Sequence, residues 1–285
     1  MATLIDGKAL SAEIKADIKE KVAEYKAVSG RDVTLAVVLV GEDPASKIYV
    51  NNKIKAAEFV GIRSLSFTLP KDAEEKDVAT LVGDLAKNDS VDGILVQLPL
   101  PKGIDEGKIL SLIPANKDVD GFTAENMGNL CLGKDAIASC TPLGIMYMLK
   151  SINVPLAGKN AVVIGRSNIV GKPVALLLLR ENCTVTICHS KTADIKNIVK
   201  NADVVVAAVG KAKFVTADMV KDGAIVIDVG INRTENGLSG DVDFENVKEK
   251  ASYITPVPGG VGPMTIAMLM SNAYKCALIR NGNKL

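Results

Sequence analysis

In Ser46-Lys-Ile-Tyr49-Val-Asn-Asn-Lys53 a serine, a tyrosine and a lysine stand at i, i+3 and i+7, so on a helix they share one face. A lysine beside a tyrosine, partly desolvated, can have its pKa lowered enough to exchange protons near neutral pH. The chain has a single histidine, His189, so such a lysine is its natural acid–base candidate. The competing reading is a solvated lysine-rich helix face, which spacing alone does not reject. Tyr-x-x-x-Lys also marks short-chain dehydrogenases, where it follows the cofactor motif on the same domain. Here it precedes the glycine loop, which leaves a catalytic domain placed ahead of a separate cofactor domain. Gln97 at a strand end and Asp120 in a loop occupy positions from which polar side chains reach the mouth of a cleft.

A second kind of chemistry lies further on. Asn160-Ala-Val-Val-Ile164 runs into Gly165-Arg-Ser-Asn-Ile-Val-Gly171-Lys-Pro173 and then into the apolar stretch Val174–Arg180. A strand, a glycine turn and a helix N-terminus are what a pyrophosphate needs: backbone that approaches without a Cβ in the way, and unpaired N–H groups aimed at the anion. Ser167 replaces the middle glycine of G-x-G-x-x-G and the loop is one residue longer, so the motif alone is a weak signal. The next strand ends in His189-Ser190-Lys191-Thr192, where NAD enzymes place an acid about 20 residues on to hold the ribose 2′-hydroxyl. A carboxylate would repel a 2′-phosphate, whereas Ser190 can donate to it and Arg166 can supply charge-assisted bonds. NADP is therefore expected over NAD. The alternative for Lys191 and Thr192 is a solvated lysine and a helix cap.

These groups must be positioned by alternating elements. Apolar spacing predicts a helix over Ala9–Ser29, a strand over Thr34–Val40, and a helix opened by Asp43-Pro44 and running to about Val60. A strand over Ser64–Leu69, a helix over Glu75–Lys87 and a strand over Val91–Val96 follow, the last breaking at Gln97-Leu-Pro-Leu-Pro101. The segment Pro114–Gly121 is rich in turn residues, and Thr141-Pro142 opens a helix to about Ile152. Strands at Ala161–Ile164, Thr184–Cys188, Val204–Val209 and Ile225–Val229 restart the alternation. Asn236-Gly237 reads as a turn, with a hairpin as one form of it. Met264–Ile279 reads as a terminal helix able to pack back on the first half. The fold class expected is α/β with mainly parallel sheets in two domains: an N-terminal catalytic domain and a C-terminal Rossmann-like NADP-binding domain, with a cleft between them. The boundaries expected are 1–121 for the catalytic domain, completed by the helix of about 264–285, and 122–263 for the Rossmann-like domain.

The 285 residues are 48% apolar and 24% charged, the balance of a well-packed globular chain. Lysine and arginine number 34 against 33 acids, so no net field draws the chain to nucleic acid or an anionic membrane, and a small molecule is the expected partner. Val174–Leu179, among the longest aliphatic stretches, falls far short of the about 20 residues a membrane span needs. The N-terminus resembles neither a secretory signal nor a transit peptide, which points to the cytoplasm. Five cysteines without a Cys-x-x-Cys pair, and one histidine, leave no metal site and are expected reduced and inert. The lone histidine also argues against a Ser-His-Asp hydrolase.

Taken in order, Tyr49-x-x-x-Lys53, Gln97-Leu-Pro-Leu-Pro101, Lys117-Asp-Val-Asp-Gly121, Cys140-Thr-Pro-x-Gly144, Gly165-Arg-Ser-x-x-Val-Gly171, Gly240-Asp-Val-Asp243 and Pro258-Gly-Gly-Val-Gly-Pro-Met-Thr265 resemble the bifunctional methylenetetrahydrofolate dehydrogenase/methenyltetrahydrofolate cyclohydrolase family, over almost the whole chain. The resemblance implies NADP-dependent oxidation of 5,10-methylenetetrahydrofolate to the 5,10-methenyl compound and its hydrolysis to 10-formyltetrahydrofolate, both in one cleft. It implies Lys53 as the acid–base residue, Gln97 as the group that hydrogen-bonds and tunes it, Tyr49 stacked on the aminobenzoyl ring and Asp120 holding the pterin. Pro258, Gly259 and Gly260 would approach the folate. Gly165, Arg166, Ser167, Ser190, Ile231 and Thr265 would contact NADP. A homodimer paired through the cofactor domains is implied as well. A dehydrogenase of the amino-acid or shikimate type shares the domain order but does not account for the Lys117–Gly121 and Pro258–Thr265 blocks together. A non-catalytic NADP sensor is the reading from another class, against which intact Lys53, Gln97 and Asp120 argue.

Overall fold

The computed structural model describes residues 1–235 and 237–282, with Ala45 by its backbone. In chain order its elements are β1 (Thr3–Leu4), α1 (Gly7–Ser29), β2 (Thr34–Val40), α2 (Pro44–Val60), β3 (Arg63–Leu69), α3 (Glu75–Lys87), β4 (Gly93–Val96), α4 (Glu106–Leu110), α5 (Ala124–Cys131), α6 (Cys140–Ser151) and β5 (Asn160–Ile164). There follow α7 (Gly171–Arg180), β6 (Thr184–Cys188), α8 (Ile195–Lys200), β7 (Val204–Ala207), β8 (Ile225–Asp228), β9 (Asn232–Thr234), β10 (Gly237–Ser239), α9 (Phe244–Val247), β11 (Tyr253–Ile254) and α10 (Val261–Arg280). The chain forms two compact units, one of Ala12–Cys140 with the residues from Ile266 onward, the other of Met1–Ser11 with Thr141–Thr265.

The first unit holds a parallel sheet in the order β3-β2-β4. Every residue of β2 is buried, as expected of a central parallel strand that reads as one apolar run. The Asp43 carboxylate caps α2 by accepting from Ser46 N–H at 2.7 Å, and Gly61 in a left-handed conformation ends that helix. Strand pairing of β4 begins at Gly93 rather than at Val91: Val91 N–H closes a turn onto Asn88, and Asp92 turns its carboxylate inward to accept from Thr34 N–H. A parallel bridge between Ile94 and Asp118 sets the loop before Gly121 beside β4. α10 closes this unit, its Asn272 side chain donating to the Val119 and Ala138 carbonyls.

The second unit is a six-stranded parallel sheet in the order β1-β11-β8-β7-β5-β6. The chain leaves β5 for β6 on one side and then crosses to β7 on the other, which puts a topological switch point at the C-terminal end of β5. β9 and β10 pair antiparallel; of the turn expected between them, Asn236 lies outside the described residues.

The compact units depart from the boundaries read in sequence at two places. Residues 122–140 cluster with the first sheet because Asn126 bonds to Asp118 and Ser139 to the Gly121 carbonyl. Residues 1–11 cluster with the second because β1 extends its sheet. Among the described residues no helix is long and apolar enough to cross a membrane, and no group of His, Cys, Asp and Glu is arranged to hold a metal.

Candidate active site

Helix α2 presents Tyr49, 41% exposed, and one helical turn on the half-buried Lys53. Lys53 Nζ donates to Gln97 Oε1 at 2.9 Å, and Gln97 Nε2 donates to the Leu98 carbonyl at 2.7 Å. The amide is thereby fixed with its oxygen toward the lysine, at the end of β4 where the Leu98-Pro99 bond is cis. Asp120 completes the group. Burial raises its carboxyl pKa to about 6, while the charge of Lys53 draws it down and Asp118 pushes it up. The first unit therefore brings together a lysine held on an amide and a buried carboxyl whose pKa is raised to about 6.

The loop that carries Asp120 is built by residues the sequence motif does not distinguish from it. Asp118, buried, accepts from Phe122 N–H at 3.1 Å, Thr123 N–H at 2.8 Å and Asn126 Nδ2 at 3.0 Å. Lys117, also buried, donates to the Leu85 and Asn88 carbonyls, and its loss of solvent pushes its pKa down. Gly121 has φ 68°, and a Cβ there would lie 2.5 Å from the Ala138 carbonyl carbon. Cys140 donates its thiol to the Val119 carbonyl at 3.3 Å; burial pushes that thiol well above its ordinary value, which makes it an anchor and not a nucleophile.

In the second unit the β5–β6 register pairs Ile164 with Cys188, so Gly165-Arg166 and His189-Ser190 leave the sheet side by side. Gly165 has φ 133° and a Cβ on it would sit 2.2 Å from the Ala208 carbonyl oxygen; a Cβ on Gly171 would sit 2.2 Å from the Gly165 carbonyl oxygen. Ser167 Oγ accepts from Val170 and Gly171 N–H at 3.2 Å, closing the turn that leads into α7, which begins at Gly171, earlier than the apolar stretch predicts. Among the described residues, the backbone N–H groups of Arg166, Ser167, Asn168 and Ile169 meet no protein acceptor. Four N–H groups without a protein acceptor thus lie in the turn just before α7, the kind of place where an anion can be held. Arg166 and Ser190 are exposed next to it. Thr192 does not cap the following helix; its Oγ1 accepts from His189 N–H at 2.9 Å, and His189 Nδ1 accepts from Lys191 N–H at 3.1 Å, which together shape the turn that displays Ser190.

Pro258, Gly259, Gly260 and Thr265 also lie in the second unit. The Val257-Pro258 bond is cis, Gly259 has φ 106°, and a Cβ on Gly260 would lie 2.5 Å from the Pro256 oxygen. The N-terminal segment braces this loop. Lys8 N–H donates to the Gly259 carbonyl at 2.9 Å, Ser11 Oγ to the Pro263 carbonyl at 3.0 Å, and Gly7 packs so closely that a Cβ would fall 1.9 Å from the Gly260 oxygen. Thr265 Oγ1 is 2.9 Å from Thr141 Oγ1, and Ile231 is 46% exposed. Gly7, Ser11, Asp118 and Asn272 have no chemistry a sequence pattern announces; close contact alone reveals them.

Two family models match the chain: the tetrahydrofolate dehydrogenase/cyclohydrolase catalytic domain over residues 5–120 and the NAD(P)-binding domain of the same family over residues 139–281. A bifunctional protein FolD of Agathobacter rectalis is 57% identical over 276 residues, 96% of this chain and 99% of that protein. The crystal structure of the FolD methylenetetrahydrofolate dehydrogenase/cyclohydrolase of Campylobacter jejuni superposes with a TM-score of 0.96 at 51% identity, covering 98% of this chain and all of that one. The Trypanosoma brucei dehydrogenase-cyclohydrolase, solved with NADP and an inhibitor, superposes with a TM-score of 0.92 at 39% identity, covering 96% and 97%.

Proposed function

The chain belongs to the tetrahydrofolate dehydrogenase/cyclohydrolase family, and on that premise we propose that Lys53, Gln97, Tyr49 and Asp120 serve the folate while the Gly165–Gly171 turn, Arg166 and Ser190 serve NADP. It is a bifunctional enzyme: NADP-dependent oxidation of 5,10-methylenetetrahydrofolate gives the 5,10-methenyl cation, and addition of water gives 10-formyltetrahydrofolate. The family models and full-length relatives favour this reading over a shikimate-type dehydrogenase or a cofactor sensor.

When bound, NADP supplies the acceptor of the hydride that leaves the methylene carbon. The four free N–H groups at the glycine turn fit its pyrophosphate, and a serine with an arginine, in place of an acid, fits its 2′-phosphate. Oxidation asks little acid–base work of the protein, since the folate nitrogen lone pair assists hydride loss; what the side chains contribute is placement, by Tyr49 against the aminobenzoyl ring and by Asp120 against the pterin. Hydrolysis differs. The attacking water must lose a proton and the departing ring nitrogen must gain one, and Lys53 carries that proton. Gln97 supports the role by holding Nζ at one place. Pro258–Gly260 offers close backbone approach to the folate, and Ile231 and Thr265 face the cofactor in the same reading.

The observation that carries the assignment is the 2.9 Å Lys53–Gln97 bond in company with Asp120. Lys53→Met is expected to lower methenyltetrahydrofolate hydrolysis by about a hundredfold or more while NADP-dependent oxidation of methylenetetrahydrofolate persists. Hydrolysis at the wild-type rate in that variant would remove Lys53 from the mechanism.

Pairing of two copies through the cofactor unit belongs to the same reading. β6 is the open edge of the six-stranded sheet, with Thr184, Thr186 and Ile187 exposed on it and Leu179, 58% exposed, on α7. A cytoplasmic setting is supported by five free cysteines, four of them buried.

A further inference from the structure

In Gly240-Asp-Val-Asp243 the first aspartate occupies an unusual place. Asp241 is fully buried. Its Oδ2 accepts from Val209 N–H at 2.6 Å and Gly210 N–H at 2.9 Å, and its Oδ1 from Lys211 N–H and Asn232 Nδ2, both at 2.9 Å. No cation pairs with it among the described residues; four hydrogen bonds take the place of water. Two glycines exist to admit it and its neighbour: a Cβ on Gly230 would lie 2.3 Å from Asp241 Oδ1, and one on Gly240 would lie 1.9 Å from Asp228 Oδ2. Asp228 in turn accepts from Gly230, Asp241 and Val242 N–H, which fixes the segment that carries Asp241.

The two segments so held are the ones that leave β7 and β8 at their C-terminal ends. The first abuts the glycine turn, since Gly165 has no room for a Cβ against the Ala208 oxygen. The second carries Ile231, whose Cδ1 lies 3.6 Å from the Cβ position of Gly262. In the sheet order, β6 with Ser190 is at one edge, β5 with the pyrophosphate turn is next, and β7 and β8 lie beyond it. A dinucleotide laid across those strand ends with its 2′-phosphate at Ser190 has its nicotinamide half over β7 and β8.

We propose that Asp241 is a positioning residue for the nicotinamide half of the cofactor, setting Val209–Lys211 and Ile231–Asn232 while leaving the adenine half to Arg166 and Ser190. The proposal rests on the placement of NADP in this unit. Asp241→Asn keeps the shape but turns an NH₂ toward two N–H donors. Binding of NADP is then expected to weaken about tenfold or more, whereas adenosine 2′,5′-bisphosphate, a probe of the adenine half, changes less than about twofold. Asn232→Ala, which removes one of the four bonds and leaves the carboxylate in place, should weaken NADP by about threefold with the same indifference of the bisphosphate. Calorimetric titration of both ligands into both variants reads this directly. Equal weakening of the two ligands, or no weakening of NADP, overturns the proposal, and where Asp241→Asn does not fold Asn232→Ala decides it alone. A wild type that binds neither ligand would instead fail the placement of NADP, a result seen before any variant is compared.

Discussion

Asp120 and Asp118 stand two positions apart in one motif, and the surroundings of each decide its task. Asp118 has three donors within the fold and is spent on the loop. Asp120 has its carboxyl raised to about 6, chiefly by burial, so that it passes from ionised acceptor to neutral acid as pH falls through that value. If it holds the pterin as a carboxylate, affinity for the folate must fall as pH drops through about 6, because protonation removes the acceptor. Lys53→Met takes away the charge that draws this value down, so the midpoint of the same titration should move upward. Folate binding followed by fluorescence over about pH 5 to 8 checks both; a flat wild-type profile excludes the ionised Asp120 from recognition.

Single contacts between elements fix the shape of the Pro258–Gly260 loop. Gly7, at the first turn of α1, touches the Gly260 carbonyl at a separation that admits no side chain. Gly7→Ala must push the Pro258–Gly260 loop away, and displacements of that size cost on the order of tenfold to a hundredfold in rate when the loop places a reactant. Steady-state rates for both reactions, with thermal unfolding in parallel, test it; unchanged rates would leave the loop without a positioning role. Most elements were readable beforehand: β2, α2 and α3 have the bounds their apolar spacing and caps predict. β1 and β11 were not, since two residues each cannot display a period, and their pairing rests on partners far away in sequence. α4 and α5 escaped for a related reason: short helices lean on packing more than on their own propensity.

At the scale of the whole molecule, an exposed edge strand needs either protection or a partner. If β6 meets its copy in a second chain, Ile187→Lys together with Leu179→Glu should convert a dimer to a monomer in sedimentation velocity; a wild type that sediments as a monomer would end that assignment. Sequence by itself determined the α/β alternation, the glycine turn and the family, because period, missing Cβ atoms and residue chemistry are local properties written in order along the chain. The tertiary structure decided which of two neighbouring aspartates is spent on hydrogen bonds within its loop, which segments share a compact unit and how Gly7, Asp228, Asp241 and Asn272 serve loops distant from them in sequence. Burial, hydrogen-bond satisfaction and steric room are properties of neighbours in space, and for these residues the neighbours come from other stretches of the chain.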